Sequence, residues 1–210
     1  DVEVNEWNTP LVNSIFSLAY KHIKDNEPIC YVNSDIVLTD EFSTTVEQIF
    51  NNCKNEQYLI VGQRYDCPVI VEIDFNDKDW QTKIKEHAIK FGTLHSVCGV
   101  DYFLHTKKTN INTYPWAVGK LHYDRWFIYE ALRNNILTVD ISKTTIAIHQ
   151  DANRYQNGKS IENQSSVATS EEGMRNRFGF MNCNKTGRNI DECQYFSCKE
   201  NGKIIFKRRF

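Results

Sequence analysis

No stretch of this sequence approaches the roughly 18 consecutive apolar residues of a membrane-spanning helix. The opening DVEVNEW has neither the basic flank nor the apolar core of a signal peptide. Membrane insertion is therefore not expected, and a cytoplasmic location is. An excess of positive charge is missing as well: 25 Lys and Arg stand against 27 Asp and Glu, a formal net charge of -2. Without a broad positive field, nucleic acid is not expected as a partner, although a local phosphate site is compatible with this balance. There is no internal repeat, no low-complexity tract and no glycine-rich loop bearing a basic residue to cradle a triphosphate. The seven cysteines include no CxxC pair. Cys30, Cys53, Cys67 and Cys98 sit in or beside apolar segments and read as reduced, structural thiols, and Cys183, Cys193 and Cys198 lack the spacing of a zinc site. The sequons at Asn163 and Asn184 do not decide the compartment.

What is present is the material of one substantial domain: 210 residues, 40% hydrophobic and 12% aromatic. TPLVNSIFSLAYKHI carries Leu11, Ile15, Leu18, Ala19 and Ile23 near helical spacing, with Thr9 placed to cap and Pro10 suited to the first turn. ICYVNSDIVL reads as a buried strand whose polar residues gather at Asn33, Ser34 and Asp35. A helix capped by Thr39 or Asp40 follows and runs through about Cys53 on Phe42, Val46, Ile49 and Phe50. QYLIVGQRYD predicts a second strand, and Trp80, Ile84, Ala88 and Phe91 mark one face of a helix. CGVDYFLHT is again strand-like, YDRWFIYEALRNN predicts a helix stopped at Asn134-Asn135, and ILTVDI and TTIAIHQD are β-rich. This alternation predicts an α/β fold with a largely parallel sheet covered by helices on both faces. Residues 151 to 170 have the polar composition of an exposed loop, EEGMRNRFG predicts a short helix, and the last segment predicts a hairpin turning at Glu200, Asn201 and Gly202.

In such folds ligands bind at the carboxyl ends of strands. Asn33-Ser34-Asp35 ends one strand, where a carboxylate can hold Mg²⁺ or Mn²⁺, and the alternative is a turn cap. His149 ends another strand, and a lone histidine there is either a ligand or a hydrogen-bonded structural residue. Asp124 opens a helix whose N-terminus would stabilise its ionised form, although a plain N-cap would account for it completely. Arg64 and Asp66 leave a strand at its expected active end, where Arg64 meets a phosphate, a sugar hydroxyl or a surface ion-pair partner. Trp116, after Pro115 in a loop, is a stacking face for a sugar ring or a core aromatic.

Taken in order, NEWNTPLVNSIF, YVNSDIVLTDEF, VGQRYD, GVDYFLH, the Trp116 to Trp126 segment and TIAIHQ resemble a family of GT-A nucleotide-diphospho-sugar transferases found in bacteria, plants, algae and large viruses. The resemblance covers almost the whole chain. It implies a Rossmann-like GT-A sandwich over residues 1 to 155, lacking its first strand, helix and strand, and a C-terminal loop, helix and hairpin over 156 to 210 packed on the same domain. It implies a glycosyltransferase that uses Mn²⁺ or Mg²⁺ to move a sugar from a nucleotide-diphosphate sugar to a glycan or small hydroxyl acceptor. Asn33-Ser34-Asp35 stands where the family carries its Asp-x-Asp metal motif, with Asn33 a weaker, neutral oxygen donor and Asp35 the principal ligand. His149 matches the histidine brought to the same metal. Asp124 resembles the general base of inverting members, and Asn13, Asp101, Trp116 and Arg175 fall on the donor or acceptor side, Arg175 folding over the diphosphate. Two other readings compete: a non-catalytic carbohydrate-binding or interaction protein on the same scaffold, and a sugar nucleotidylyltransferase.

Overall fold

The computed structural model describes residues 1–53, 56–68, 72–120, 122–150, 155–156, 159–160, 167, 169–182 and 188–210. Strands β1 (Pro28–Val32) and β2 (Ile36–Leu38) are separated by Asn33-Ser34-Asp35, and helix α2 (Asp40–Asn52) follows. Strands β3 (Tyr58–Val61) and β4 (Arg64–Cys67) are separated by Gly62-Gln63. Helix α3 (Trp80–Phe91), β5 (Thr93–Leu94), β6 (Tyr102–Thr106), helix α4 (Tyr123–Arg133), β7 (Leu137–Asp140) and β8 (Ala147–Gln150) come next. A short antiparallel pair, β9 (Tyr155–Gln156) and β10 (Lys159–Ser160), precedes helix α5 (Glu171–Asn182). The chain closes with the hairpin β11 (Tyr195–Glu200) and β12 (Lys203–Arg208). Helix α1 (Val12–Ala19) begins the series.

The main strands form two mixed sheets, one of six strands in the order β1-β6-β3-β7-β11-β12 and one of four in the order β2-β8-β4-β5. The expected largely parallel sheet is corrected here. Among the described residues only β3–β7, β7–β11 and β4–β8 are parallel, while β6 runs antiparallel between β1 and β3. Hydrophobic periodicity orders the elements along the chain but carries no information on which strand becomes whose neighbour. The two long apolar runs also differ from expectation, since each is two strands in two sheets. At Asn33–Asp35 and again at Gly62-Gln63 the chain steps from the larger sheet to the smaller one, and between β7 and β8 it does so a third time. These steps form a seam, and polar residues that would otherwise break a ladder collect there.

Helices flank the larger sheet on both faces, as side chains alternate along its strands. Leu59, Val61 and Phe103 point to the face covered by α1 and α4, packing with Val12, Phe16, Trp126 and Phe127. Tyr58, Ile60, Tyr102 and Leu104 point to the other face, against Ile49 and the partly buried Phe42 and Val46 of α2. On the smaller sheet, Cys67 and Ile148 receive Ile84 and Ala88 of α3, whereas Phe91, expected on the same face, is 57% exposed.

Local signals were read correctly where local chemistry suffices. α2 has Thr39 as N-cap and Cys53 as C-cap, and α4 stops at Asn134, followed by Asn135 in the left-handed region (φ 56°). Asn201 (φ 50°) and Gly202 (φ 73°) make the two-residue hairpin turn, whose twist suits the flanking strands. The first helix is shorter than its pattern. Pro10 bridges Val4 and Leu11 bridges Ala117, so these residues are extended and α1 starts only at Val12, whose N–H donates to the Trp116 carbonyl at 2.9 Å. Tertiary pairing thus replaces the expected Thr9 cap. The expected exposed loop over residues 151 to 170 lies largely outside the described residues. Among the described residues, no helix is long and apolar enough to cross a membrane. The cysteines described, including Cys67 and Cys193 in the core, carry free thiols; Cys183 lies outside the described residues.

Gly62, at the sheet switch, admits no side chain. A Cβ there would fall 1.9 Å from the Tyr102 hydroxyl oxygen, and Tyr102 is fully buried, so the ring would have to shift within the core. Gly62→Ala is expected to lower the unfolding free energy by about 1–3 kcal/mol through overpacking. Urea denaturation measures it, and an unchanged midpoint would mean that Tyr102 yields.

Candidate active site

The seam between the sheets holds a cluster of charged side chains. Asn33 and Asp35 sit in the β1–β2 link, which is tied down by its backbone: the Asn33 N–H donates to the Asp101 carbonyl at 2.9 Å, and the Gln150 N–H to the Asp35 carbonyl at 2.9 Å. The Asn33 amide also donates to Asp101 Oδ1 at 2.9 Å. On the smaller sheet His149 is the register partner of Ile36 on one side and of Asp66 on the other. Its ring consequently lies between two carboxylates, with Nε2 3.0 Å from Asp35 Oδ2 and Nδ1 3.3 Å from Asp66 Oδ1. The first contact is an aligned hydrogen bond; the second is an ion-pair contact outside hydrogen-bonding angles.

Arg64 begins β4 and is 6% exposed. Its Nε donates to Asp66 Oδ1 at 2.8 Å, and Nη1 donates to Asp101 Oδ2. His95, in the link from β5 to β6, meets Asp66 Oδ2 through Nδ1 at 2.6 Å. Asp66 is therefore at the centre of the cluster. Burial works to raise its pKa, but His149, His95 and Arg64 outweigh that and hold it far below the ordinary carboxylate range. Asp35, half exposed, is lowered chiefly by its hydrogen bond with His149. For His149 burial opposes the charged ring, yet the contacts with Asp35 and Asp66 prevail and lift its pKa to about 9.

Across the cluster, helix α4 starts from His122 in the left-handed region (φ 89°) and presents Asp124 in its first turn. The backbone amides at the helix N-terminus do favour the ionised form of Asp124, but opposing effects are larger. Desolvation, with the negative charge of Asp101 added, outweighs the Arg125 backbone amide and guanidinium, and the pKa rises to about 6. Before α4, Gly119 (φ 73°) turns the chain and Lys120 pairs with Glu172 of α5 at 3.0 Å. Asn176 of the same helix clamps the Ala117 amide and carbonyl, both at 3.0 Å.

A cavity of about 310 Å³ opens over these groups, and Asn33, Asp35, Arg64, Asp101, Asp124 and His149 all line it. Six of the nine site residues expected from sequence thus meet in one place, contributed by segments more than a hundred residues apart. Comparisons with protein-family models, with curated proteins and with solved structures give no match.

Three residues stand elsewhere. Trp116 is corrected from a sugar-stacking face to a core residue: it is 3% exposed and packs on Tyr114 and Trp126, with centroids 5.1 and 5.4 Å away. Asn13 lies on α1 away from the cavity lining, and Arg175 pairs with Glu6 while its guanidinium covers the Trp7 ring at 4.6 Å. Arg64 lines the cavity, but neither as a free phosphate contact nor in a surface pair, because Asp66 and Asp101 occupy its buried guanidinium. His95 and Lys120 also line the cavity and were not singled out from sequence. No local motif marks His95, whereas Lys120 follows a glycine just before a helix, a weak signal.

Among the described residues no group of three or more His, Cys, Asp and Glu side chains is arranged to hold a metal ion. The donor pair of Asp35 Oδ2 and His149 Nε2 does suit one. In this structure the two are hydrogen-bonded to each other at 3.0 Å, so Nε2 would have to give up its proton to bind an ion, whose remaining ligands would come from water and substrate phosphates. Carboxylate oxygen with imidazole nitrogen is also a donor set that Mn²⁺ accepts.

Proposed function

We propose that this chain is a metal-dependent glycosyltransferase on a Rossmann-like GT-A scaffold, acting on a nucleotide-diphosphate sugar and a hydroxyl acceptor. The observation that carries the reading is the meeting of Asp35, in the link from β1 to β2, with His149, near the end of β8, in a cavity that Asp124 lines from the start of α4. These are the residues to which the family resemblance assigns the metal and the base. Flanking helices on both faces and the parallel pairing of β3, β7 and β11 are compatible with the GT-A scaffold.

Asp35 and His149 would hold a divalent ion, and the chemistry it would supply is positive charge to offset that of the diphosphate and the departing nucleotide. Asp124 accepts the proton of the acceptor hydroxyl as its oxygen attacks the anomeric carbon, the role of a base in an inverting transfer. A carboxylate with a pKa of about 6 serves this well: it is ionised at neutral pH and more basic than an exposed aspartate. Asn33 and Asp101, joined by their hydrogen bond, line the same cavity and would contact the sugar there. Lys120 also lines the cavity, in an ion pair with Glu172.

Calorimetry with Mn²⁺, and then with a panel of nucleoside diphosphates, tests the reading. One nucleotide should bind in an Mn²⁺-dependent way, and Asp35→Ala and His149→Ala should each weaken that binding at least tenfold. Failure of Mn²⁺ to support any nucleotide would remove the metal site and with it the proposal. Nucleotide binding without hydrolysis or transfer would favour the non-catalytic reading instead.

A further inference from the structure

Asp66 belongs to none of the roles above, yet every polar atom it has is committed. It is the register partner of His149 in the parallel β4–β8 pair, so the sheet sets the two residues side by side. Oδ1 receives Arg64 Nε at 2.8 Å and makes an ion-pair contact with His149 Nδ1 at 3.3 Å, outside hydrogen-bonding angles, while Oδ2 meets His95 Nδ1 at 2.6 Å. The His95 ring lies against Gly99, where a Cβ would fall 2.2 Å from its Cδ2, so the ring is closed off on that side. The carboxylate is thereby held on three sides, with its side chain 22% exposed.

We infer that Asp66 is a positioning residue, which holds the Nδ1 side of His149 so that Nε2 faces Asp35 and the cavity. The inference rests on the reading of His149 as a metal ligand only for its consequence, not for the positioning itself. A histidine ring has two orientations of similar shape, and a neighbouring carboxylate selects one by pairing with the nitrogen that faces it. Such a partner also makes the opposite nitrogen a better donor, and its loss typically lowers metal affinity by about 10–100-fold. Arg64 and His95 act one step further out, aiming the carboxylate.

The test uses Asp66→Asn, which preserves volume, beside Asp66→Ala, each checked for folding by its thermal transition. With ¹⁵N-labelled histidine in the metal-free protein, the His149 ring resonances, assigned through His149→Gln, should move in both variants. Mn²⁺ affinity by calorimetry should fall by about tenfold or more in the folded variants. Unmoved His149 resonances together with unchanged Mn²⁺ affinity in folded Asp66→Asn would overturn the inference. Moved resonances in a protein that never binds Mn²⁺ would uphold the positioning and refute the metal reading. If Asp66→Ala does not fold, Asp66→Asn decides; if neither folds, His95→Gln, which removes a clamp on Asp66 without touching His149, should shift the same resonances, and their constancy would refute the inference.

Discussion

Asp124→Asn is expected to lower sugar transfer by about 10²–10⁴-fold, the usual contribution of a positioned acid or base, while leaving Mn²⁺-dependent nucleotide binding within a few-fold. The substitution keeps the shape and one acceptor oxygen in the first turn of α4 but removes the basic oxygen. Transfer by the unaltered protein should rise with pH through about 6, where Asp124 loses its proton, and the residual activity of the variant should lack that limb. Stability is expected to move the other way. Asp124 holds its proton more tightly in the folded chain than in the unfolded one, whose aspartates titrate near 3.9. Its contribution is therefore fully present below about pH 4 and is lost as pH rises through about 6. At pH 7 the folded protein carries an ionised, poorly solvated carboxylate, so the asparagine variant should be more stable by on the order of 1–3 kcal/mol. Gain of stability with loss of turnover is the pattern of a residue kept for chemistry. A variant that keeps full activity, or loses stability at pH 7, would remove Asp124 from the base role.

Arg64→Met should cost about 3–5 kcal/mol, because it strips the cation from two carboxylates that remain in the seam. Arg64 is 6% and Asp101 7% exposed, so solvent replaces little of what is lost. Against a total of roughly 5–15 kcal/mol for a domain, that is enough to populate unfolded chain at physiological temperature. The double variant Arg64→Met/Asp101→Asn should recover part of the loss, since it also removes one orphaned charge. Urea unfolding of the single and double variants gives the coupling directly. A cost below about 1 kcal/mol for the single variant would mean that the Arg64 pairs contribute no more than exposed ones.

The two predictions concern residues of opposite legibility. Asp124 could be singled out because a carboxylate at a helix start is a local pattern, and Asp35 and His149 because polar residues ending apolar strands are another. The role of Arg64 could not. Its position after an apolar strand suggested a ligand contact, and only the chain's return through Asp101, 37 residues later, shows the guanidinium already occupied. His95 carried no signal, since its importance comes entirely from Asp66 and Gly99 beside it. Trp116 misled for a related reason: a tryptophan after proline looks available, but Tyr114 and Trp126 enclose it.

By itself the sequence determined the elements whose stability is local: the bounds and apolar stripe of α2, the asparagine stop of α4, the Asn201-Gly202 turn, and the placement of Asn33-Ser34-Asp35 and His149 beside strand ends. These follow from capping, periodicity and backbone preference within a few residues. Tertiary structure decided which strands pair, that two apolar runs each divide between sheets, that α1 starts late, and that Asp66 and Arg64 are buried partners. Pairing energies between distant segments and the cost of burying charge depend on neighbours that no local window contains.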